Sequence, residues 1–305
     1  MDLRQLEMFR AVAEEGSFTR AARRLHVSQS AISRQVLLLE DELKAPVLNR
    51  GPRRTSATPA GELLLGAVNR VSRELQEAVA QIEGTRALAR GSLALAGGMT
   101  VCMYVLPRVL RRYRSLYPGV ELSVFTGASA AVVERLRRRE IDVALLTLPL
   151  PARDLEVRPA LHEPMGVVLA PGHPLGRERS VAPAALSGLP LVLYETGSNT
   201  RRVLDRFFEQ EQVAARVAME TENVEIIKAM VAGGLGVSVI PYAACAREVK
   251  AGRLLYRPIR GRQLVRETGW VSLKTDHPSR AVAELIRVFD DLRDRFPGRP
   301  PKPEV

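Results

Sequence analysis

Ser17-Phe18-Thr19-Arg20-Ala21-Ala22-Arg23-Arg24-Leu25-His26-Val27-Ser28-Gln29-Ser30-Ala31-Ile32-Ser33-Arg34 is the stretch that decides the N-terminal fold. Ser17 is placed to cap a helix over Phe18–Leu25, and the Ala21-Ala22 pair lets a neighbouring helix approach closely. His26-Val27 make a tight turn. Ser28 then caps a third helix, Gln29 to Leu43, by accepting hydrogen bonds from its free first-turn N–H groups. Ile32, Val36, Leu39 and Leu43 step by four, three and four and form its buried stripe. Gln29, Ser30, Ser33 and Arg34 fall on the opposite face, near the helix start, where a major-groove reader needs them. Glutamine can bond an adenine edge bidentately, arginine a guanine edge, and serine adapts to either. The alternative is a packing module whose polar face is merely solvated. The acidic run Glu40-Asp41-Glu42 keeps away from the groove end.

Upstream, Leu3, Leu6, Phe9, Val12 and Ala13 recur at helical spacing, which predicts a helix over 3–14 that ends near Gly16. Downstream, Ala45-Pro46-Val47-Leu48-Asn49-Arg50-Gly51-Pro52-Arg53-Arg54-Thr55 reads as two short strands about a Gly-Pro turn, a hairpin wing with arginines for phosphates or a minor groove. Residues 16–58 hold eight basic side chains against three acidic. That excess fits DNA. Thr58 can cap a further helix with Pro59 at its first position. In it Leu64, Val68, Val71, Leu75, Ala78 and Ile82 alternate steps of four and three, a heptad seam. Running to about Leu88, the helix has ~30 residues and a length of roughly 45 Å. Either the stripe packs on its own domain or, as its length favours, it meets a second chain.

From residue 91 onward, β-type runs alternate with helical patterns: Leu93–Ala96, Glu121–Phe125, Val143–Leu146, Gly166–Ala170, Leu191–Tyr194 and Val237–Ile240. The alternation predicts α/β layers on a largely parallel sheet. Its strand-to-helix junctions are small and polar: Gly97-Gly98-Met99-Thr100, Thr126-Gly127-Ala128-Ser129, Thr147, Glu195-Thr196-Gly197-Ser198-Asn199-Thr200-Arg201 and Glu222-Asn223. Hydroxyls and N–H groups at helix starts suit a carboxylate, sulfate or phosphate. Equally, each serine or threonine can cap its own helix. Arg201 is either a partner for an anion or a solvated helix arginine. The tail Pro297–Val305, with four prolines, is expected to fray.

Composition sets the bounds. The chain has 305 residues, 46% hydrophobic and 26% charged, which suits two or three globular domains. A net charge of +11 asks for a polyanionic partner, but its sign cannot separate nucleic acid from other anions. Cys102 and Cys245 form neither a disulfide framework nor a metal motif. Residues 91–107 and 229–246 are uncharged, yet their glycines and prolines read as strands joined to helices rather than membrane spans. With no export signal at Met1-Asp2-Leu3-Arg4-Gln5, a soluble, cytoplasmic chain is expected. Catalysis is not: no G-x-S-x-G elbow occurs, and Gly234-Leu235-Gly236 follows a helix and precedes a strand, the reverse of a dinucleotide loop. The four histidines are scattered, so no metal or other cofactor is expected beyond a small-molecule effector.

The run from Ser17 to Ser33, with Leu39-Glu40, Leu43, Arg50 and Thr58-Pro59-Ala60-Gly61, resembles the LysR-type transcriptional regulators. Lys44 and Leu48 stand where that family usually has Gly and Phe. Further matches are Leu106-Pro107, Tyr117-Pro118, Gly172-His173-Pro174-Leu175 and Met230-Val231-Ala232-Gly233-Gly234-Leu235-Gly236-Val237, ending in Ile240-Pro241. The resemblance implies an α/β chain with an N-terminal all-α winged helix-turn-helix over 1–58 and a linker helix over 59–90. A C-terminal effector domain over 91–296 follows, of two subdomains of the periplasmic-binding-protein type, about 91–163 with 269–296 and about 164–268. It implies DNA contacts from Ser28, Gln29, Ser30, Ser33 and Arg34, with Arg50, Arg53 and Arg54 on the backbone. Thr100, Met103, Ser129, Thr147, Ser198, Thr200 and Asn223 would line an effector cleft, with Arg201 beside Thr200. Crossovers are expected near Glu163–Gly166 and Thr268-Gly269. The partners so implied are double-stranded DNA, a small anionic metabolite, a second copy in a homodimer or homotetramer, and RNA polymerase as a candidate. The competing reading is a cytoplasmic solute-binding receptor with no DNA readout.

Overall fold

The computed structural model describes residues 1–51, 54–82, 91–150, 153–261, 263–274 and 279–296. Arg53, the linker beyond Ile82 and the tail Pro297–Val305 lie outside them. The chain divides into two compact units, Met1–Ala87 and Leu88–Val305.

In the first unit, Asp2 and Gln5 close a reciprocal capping box at the start of α1 (Leu3–Glu15), which ends at Gly16 in the left-handed region. The Ser17 hydroxyl accepts from the Arg20 N–H at 3.4 Å and starts α2 (Phe18–Arg24). The Ser28 hydroxyl accepts from Ala31 at 3.2 Å and starts α3 (Gln29–Leu43). Phe9, Val12, Ala21, Ile32, Val36 and Leu39 are fully buried where the three helices meet. Each of the larger ones contributes about 1.5–3 kcal/mol. The wing is β1 (Leu48–Arg50) paired antiparallel with β2 (Thr55–Ala57), with Leu48 buried in the core. Glu40 ties it down, one carboxylate oxygen accepting from the Val47 and Leu48 N–H groups and the other from Arg50.

Thr58 caps α4 (Pro59–Ile82), accepting from the Gly61 N–H at 3.0 Å. Gly61 is required there, because a Cβ would lie 2.0 Å from the Val47 carbonyl oxygen. The heptad expectation needs correction along this helix. Val68 is buried in the core of its own unit and Leu64 packs against it, because the first turns of α4 run over α1 and β2. Farther along, Val71, Leu75 and Val79 are exposed. Nothing is described of the Ala78 and Ile82 side chains.

The second unit starts with β3 (Gly91–Gly97), α5 (Met99–Tyr104), α6 (Leu106–Leu116), β4 (Val120–Thr126), α7 (Ser129–Arg137) and β5 (Val143–Thr147). β6 (Leu155–Leu169) follows, then β7 (Pro190–Tyr194), α8 (Asn199–Gln210), β8 (Arg216–Thr221), α9 (Val224–Ala232) and β9 (Ser238–Pro241). α10 (Tyr242–Lys250), β10 (Leu255–Pro258), β11 (Val265–Leu273) and α11 (Arg280–Leu292) complete it. β3 pairs parallel with β4 and β5, as the alternating pattern predicts. However, β6 and β11 run antiparallel to their neighbours, so the main sheet, in the order β10-β6-β11-β5-β3-β4, is mixed rather than largely parallel. One face of its β11-β5-β3 part packs on α6 and α11 around Tyr113, Trp270 and Phe289, the other on α7 around Val132 and Leu136.

The chain changes subdomain in the middle of β6. Leu155–Pro164 pairs with β11, whereas Met165–Leu169 pairs with β9 and β10 and enters a separate core with β7, α8 and α9. The return lies directly alongside: the Met165 N–H donates to the Leu264 carbonyl at 2.9 Å, and Val265 sits opposite Pro164. Thr268-Gly269, expected as the return crossover, instead marks a register shift within β11.

Candidate functional site

Three strand-to-helix junctions of the second unit surround one cavity of about 150 Å³. They are the β3–α5 turn with Gly98 and Thr100, the β4–α7 turn with Thr126 to Ser129, and the β7–α8 turn with Tyr194, Ser198 and Thr200. At about 10–15 Å³ per water-sized probe, the space holds a solute with on the order of ten heavy atoms. Of the residues expected to line an effector cleft, Thr100, Ser129, Thr147, Ser198 and Thr200 all do. Met103, Arg201 and Asn223 are not among its lining residues.

Whether these hydroxyls serve their own helices or a ligand can now be read individually. Ser198 caps α8, accepting from the Arg201 N–H at 3.1 Å, and Asn223 caps α9, accepting from Glu225 at 2.9 Å. By contrast, α5 begins at Gly98 and α7 at Ala128, and neither start receives a side-chain cap. Their first-turn N–H groups, with the positive end of each helix, therefore face the cavity without a side-chain acceptor. Thr147 spans the two subdomains: its hydroxyl lies 3.4 Å from that of Thr200, and its carbonyl accepts from the Asn199 amide at 2.6 Å.

Arg201 is neither solvated nor turned to the cavity. Its guanidinium donates to Asp205 and Glu220, each at 2.7 Å, and to the Tyr194 carbonyl at 2.9 Å. Burial alone would lower the Arg201 pKa, but the hydrogen bonds to Glu220 and Asp205 raise it. In return, Arg201 and Thr196 hold the Glu220 carboxyl below its ordinary range.

The arginine that does line the cavity is Arg266, on β11. Its Nε and one terminal nitrogen donate to Glu163 Oε2 at 3.0 and 2.8 Å, while the other terminal nitrogen lies 3.5 Å from the Thr200 hydroxyl. Arg266 and Glu163 are cross-strand partners, with side chains 2% and 7% exposed. Glu163 thus cancels the arginine's charge but leaves N–H groups toward the cleft. Glu195 and Glu222 also line the cavity, as acceptors. Sequence reasoning missed Arg266 and Tyr194. The available signals were an arginine at an inward position of the run Leu264–Val271 and a tyrosine at the carboxyl end of Leu191–Tyr194. Both cysteines are held protonated by burial, Cys102 up to about 11 and Cys245 to about 12.

In the first unit, Ser28, Gln29, Ser30 and Arg34 are exposed along the start of α3, with Ser33 half-buried beside them. The Thr19 hydroxyl donates to Gln29 at 3.3 Å, and the Ser28 and Ser30 hydroxyls are 3.0 Å apart. This face is pre-arranged by its neighbours. Arg50 is engaged within the module, 2.8 Å from Glu40 and over the Phe18 ring. Arg54 is exposed and lies across Gly16.

Two family models match the chain. "Bacterial regulatory helix-turn-helix protein, lysR family" covers residues 3–62, and "LysR substrate binding domain" covers residues 86–293. A relative named RuBisCO operon transcriptional regulator, from Acidithiobacillus ferrooxidans, is 33% identical over 265 residues, 87% of this chain and 85% of the relative. Among solved structures, a full-length OxyR variant from Pseudomonas aeruginosa superposes with a TM-score of 0.69 at 25% identity, covering 95% of this chain and 94% of that one. The Synechocystis CcmR regulatory domain in complex with 2-PG matches with a TM-score of 0.63 at 26% identity, covering 68% of this chain and 99% of that domain. The chain belongs to the LysR family: it is a DNA-binding transcriptional regulator whose second unit is the family's effector domain.

Proposed function

We propose that the cleft of the second unit takes a small polar oxyanion, which controls DNA binding through the first unit. The observation that carries this reading is the pair of helix starts, α5 and α7, left without side-chain caps around a cavity that Arg266 also lines. Thr100, Ser129, Thr147, Ser198 and Thr200 supply hydroxyls around the anion, and Glu195 and Glu222 accept from its donor groups. Met99, Val101 and Ala128 supply the apolar side chains of the lining beside these polar groups. The CcmR domain's complex with 2-PG makes that compound the first probe. A ligand that favours one cleft geometry shifts the equilibrium between effector-domain arrangements and, through linkage, DNA affinity.

On the DNA side, Ser28, Gln29, Ser30, Ser33 and Arg34 read base edges, and Arg53 and Arg54 hold phosphates. Arg50 acts through the wing rather than as a free cation, since Glu40 and Phe18 already engage it. The dimer seam is α4 from Val71 onward, where Val71, Leu75 and Val79 are exposed, with a tetramer built through the effector domains. Among the described residues no helix is long and apolar enough to cross a membrane, and we place the protein in the cytoplasm. The test of the cleft is thermal unfolding of the full-length protein in 2-PG, phosphate, sulfate or chloride. Stabilisation by one of the oxyanions, lost in the Thr100→Val/Ser129→Ala double variant, is expected. Equal melting temperatures in all four salts would refute the reading.

A further inference from the structure

Among the described residues, several polar side-chain atoms are buried without a hydrogen-bond partner, and Tyr194 Oη is the one whose residue lines the effector cleft. Tyr194 is 3% exposed at the carboxyl end of β7. Burial pushes its pKa up to about 12. The Arg266 guanidinium and the Thr100 hydroxyl are near enough to offset part of that rise, yet neither meets hydrogen-bond geometry with it. The phenol is therefore a neutral donor at every physiological pH, with its proton unclaimed.

We propose that the Tyr194 hydroxyl is the donor held ready for one oxygen of the bound anion, and that it decides which anions the cleft accepts. This rests on the oxyanion reading of the cleft. The three groups that meet here come from three elements: Tyr194 from β7, Thr100 from α5 and Arg266 from β11. An oxygen among them is bonded from both subdomains at once. Glu163 already balances the arginine's charge, so attraction to Arg266 alone discriminates poorly between anions. A neutral, directional donor discriminates better. A carboxylate or phosphate oxygen satisfies the phenol, whereas a ligand presenting a methyl or ammonium group at that point leaves it unpaired and is rejected.

Arg266 is a poor variant to test first, because removing it strands Glu163 as a buried charge and endangers the fold. Tyr194→Phe removes one oxygen and no existing hydrogen bond. In the full-length variant we expect an unliganded melting temperature equal to or above that of the wild type. The Kd for 2-PG or inorganic phosphate, by calorimetry, should rise about tenfold or more, the loss expected for a hydrogen bond to a charged group. Binding as tight as wild type would overturn the role of Tyr194 and leave the cleft reading intact. A drop of several degrees in the unliganded melting temperature would also overturn it, since the hydroxyl would then support the fold. If the wild type binds neither probe while Thr100→Val/Ser129→Ala behaves like wild type, the cleft reading fails and this proposal fails with it.

Discussion

Lys44 closes α3 with φ 52°, in the left-handed region where a glycine is unstrained and a side chain is not. Its ammonium reaches Asp41 at 3.1 Å, but both side chains are 78% exposed, and a pair so solvated contributes little. Lys44→Gly is therefore expected to stabilise the first unit by about 1 kcal/mol, measurable as a higher denaturant midpoint at unchanged slope. A lower midpoint would mean the ion pair outweighs the strain. At this scale, what the sequence reveals depends on distance along the chain. Ser17, Ser28 and Thr58 were legible as caps because each partner is three residues away. Arg266 was not, since Glu163 and Thr200 are 103 and 66 positions from it and only the fold brings them to one wall.

For whole elements, periodicity shows that a face is apolar but not what covers it. The seam along α4 is continuous in sequence, yet its first part is spent on the helix's own unit, with Val68 3% exposed and Val71 and Leu75 at 40% and 46%. Two outcomes follow from that division. Val68→Ala should cost about 2 kcal/mol of stability in the first unit. Val71→Asp with Leu75→Asp should leave that unit folded and halve the mass of the assembly in sedimentation experiments. An unchanged mass would place the seam elsewhere. The strands show the same limit. Leu155–Pro164 was not visible as half of β6, because Pro159 and Pro164 interrupt it, although Leu155-Glu156-Val157-Arg158 alternate as the residues of a half-buried strand do. Its regularity comes from β11, which pairs along its length and absorbs Pro159 at the register shift.

Across the molecule, the local excess of residues 16–58 bears on DNA, whereas the net charge of the whole chain does not. Residues 1–87 hold 13 basic and 11 acidic side chains, and residues 88–305 hold 32 and 23, so most of the net +11 lies on the effector unit. If phosphate contacts come only from Arg53 and Arg54 of two modules, about four counterions leave on binding and log K falls with log salt at a slope of about −4. A slope near twice that would show that the effector unit also touches the duplex. The α/β character was legible from the alternating pattern, the division into two subdomains came only from the family resemblance, and the return crossover was displaced by several residues because it depends on pairing rather than composition. That crossover carries one last consequence. Since Met165 is bonded to Leu264 and Pro164 faces Val265, the segment 165–264 leaves and re-enters its host at a single point, as a gene inserted in another gene's reading frame would. Tyr194, Ser198 and Thr200 travel with that cassette, while Thr100, Ser129, Thr147 and Arg266 remain behind. A lineage can thus exchange one wall of the binding site in a single recombination event, keeping the other wall and the DNA-reading module unchanged.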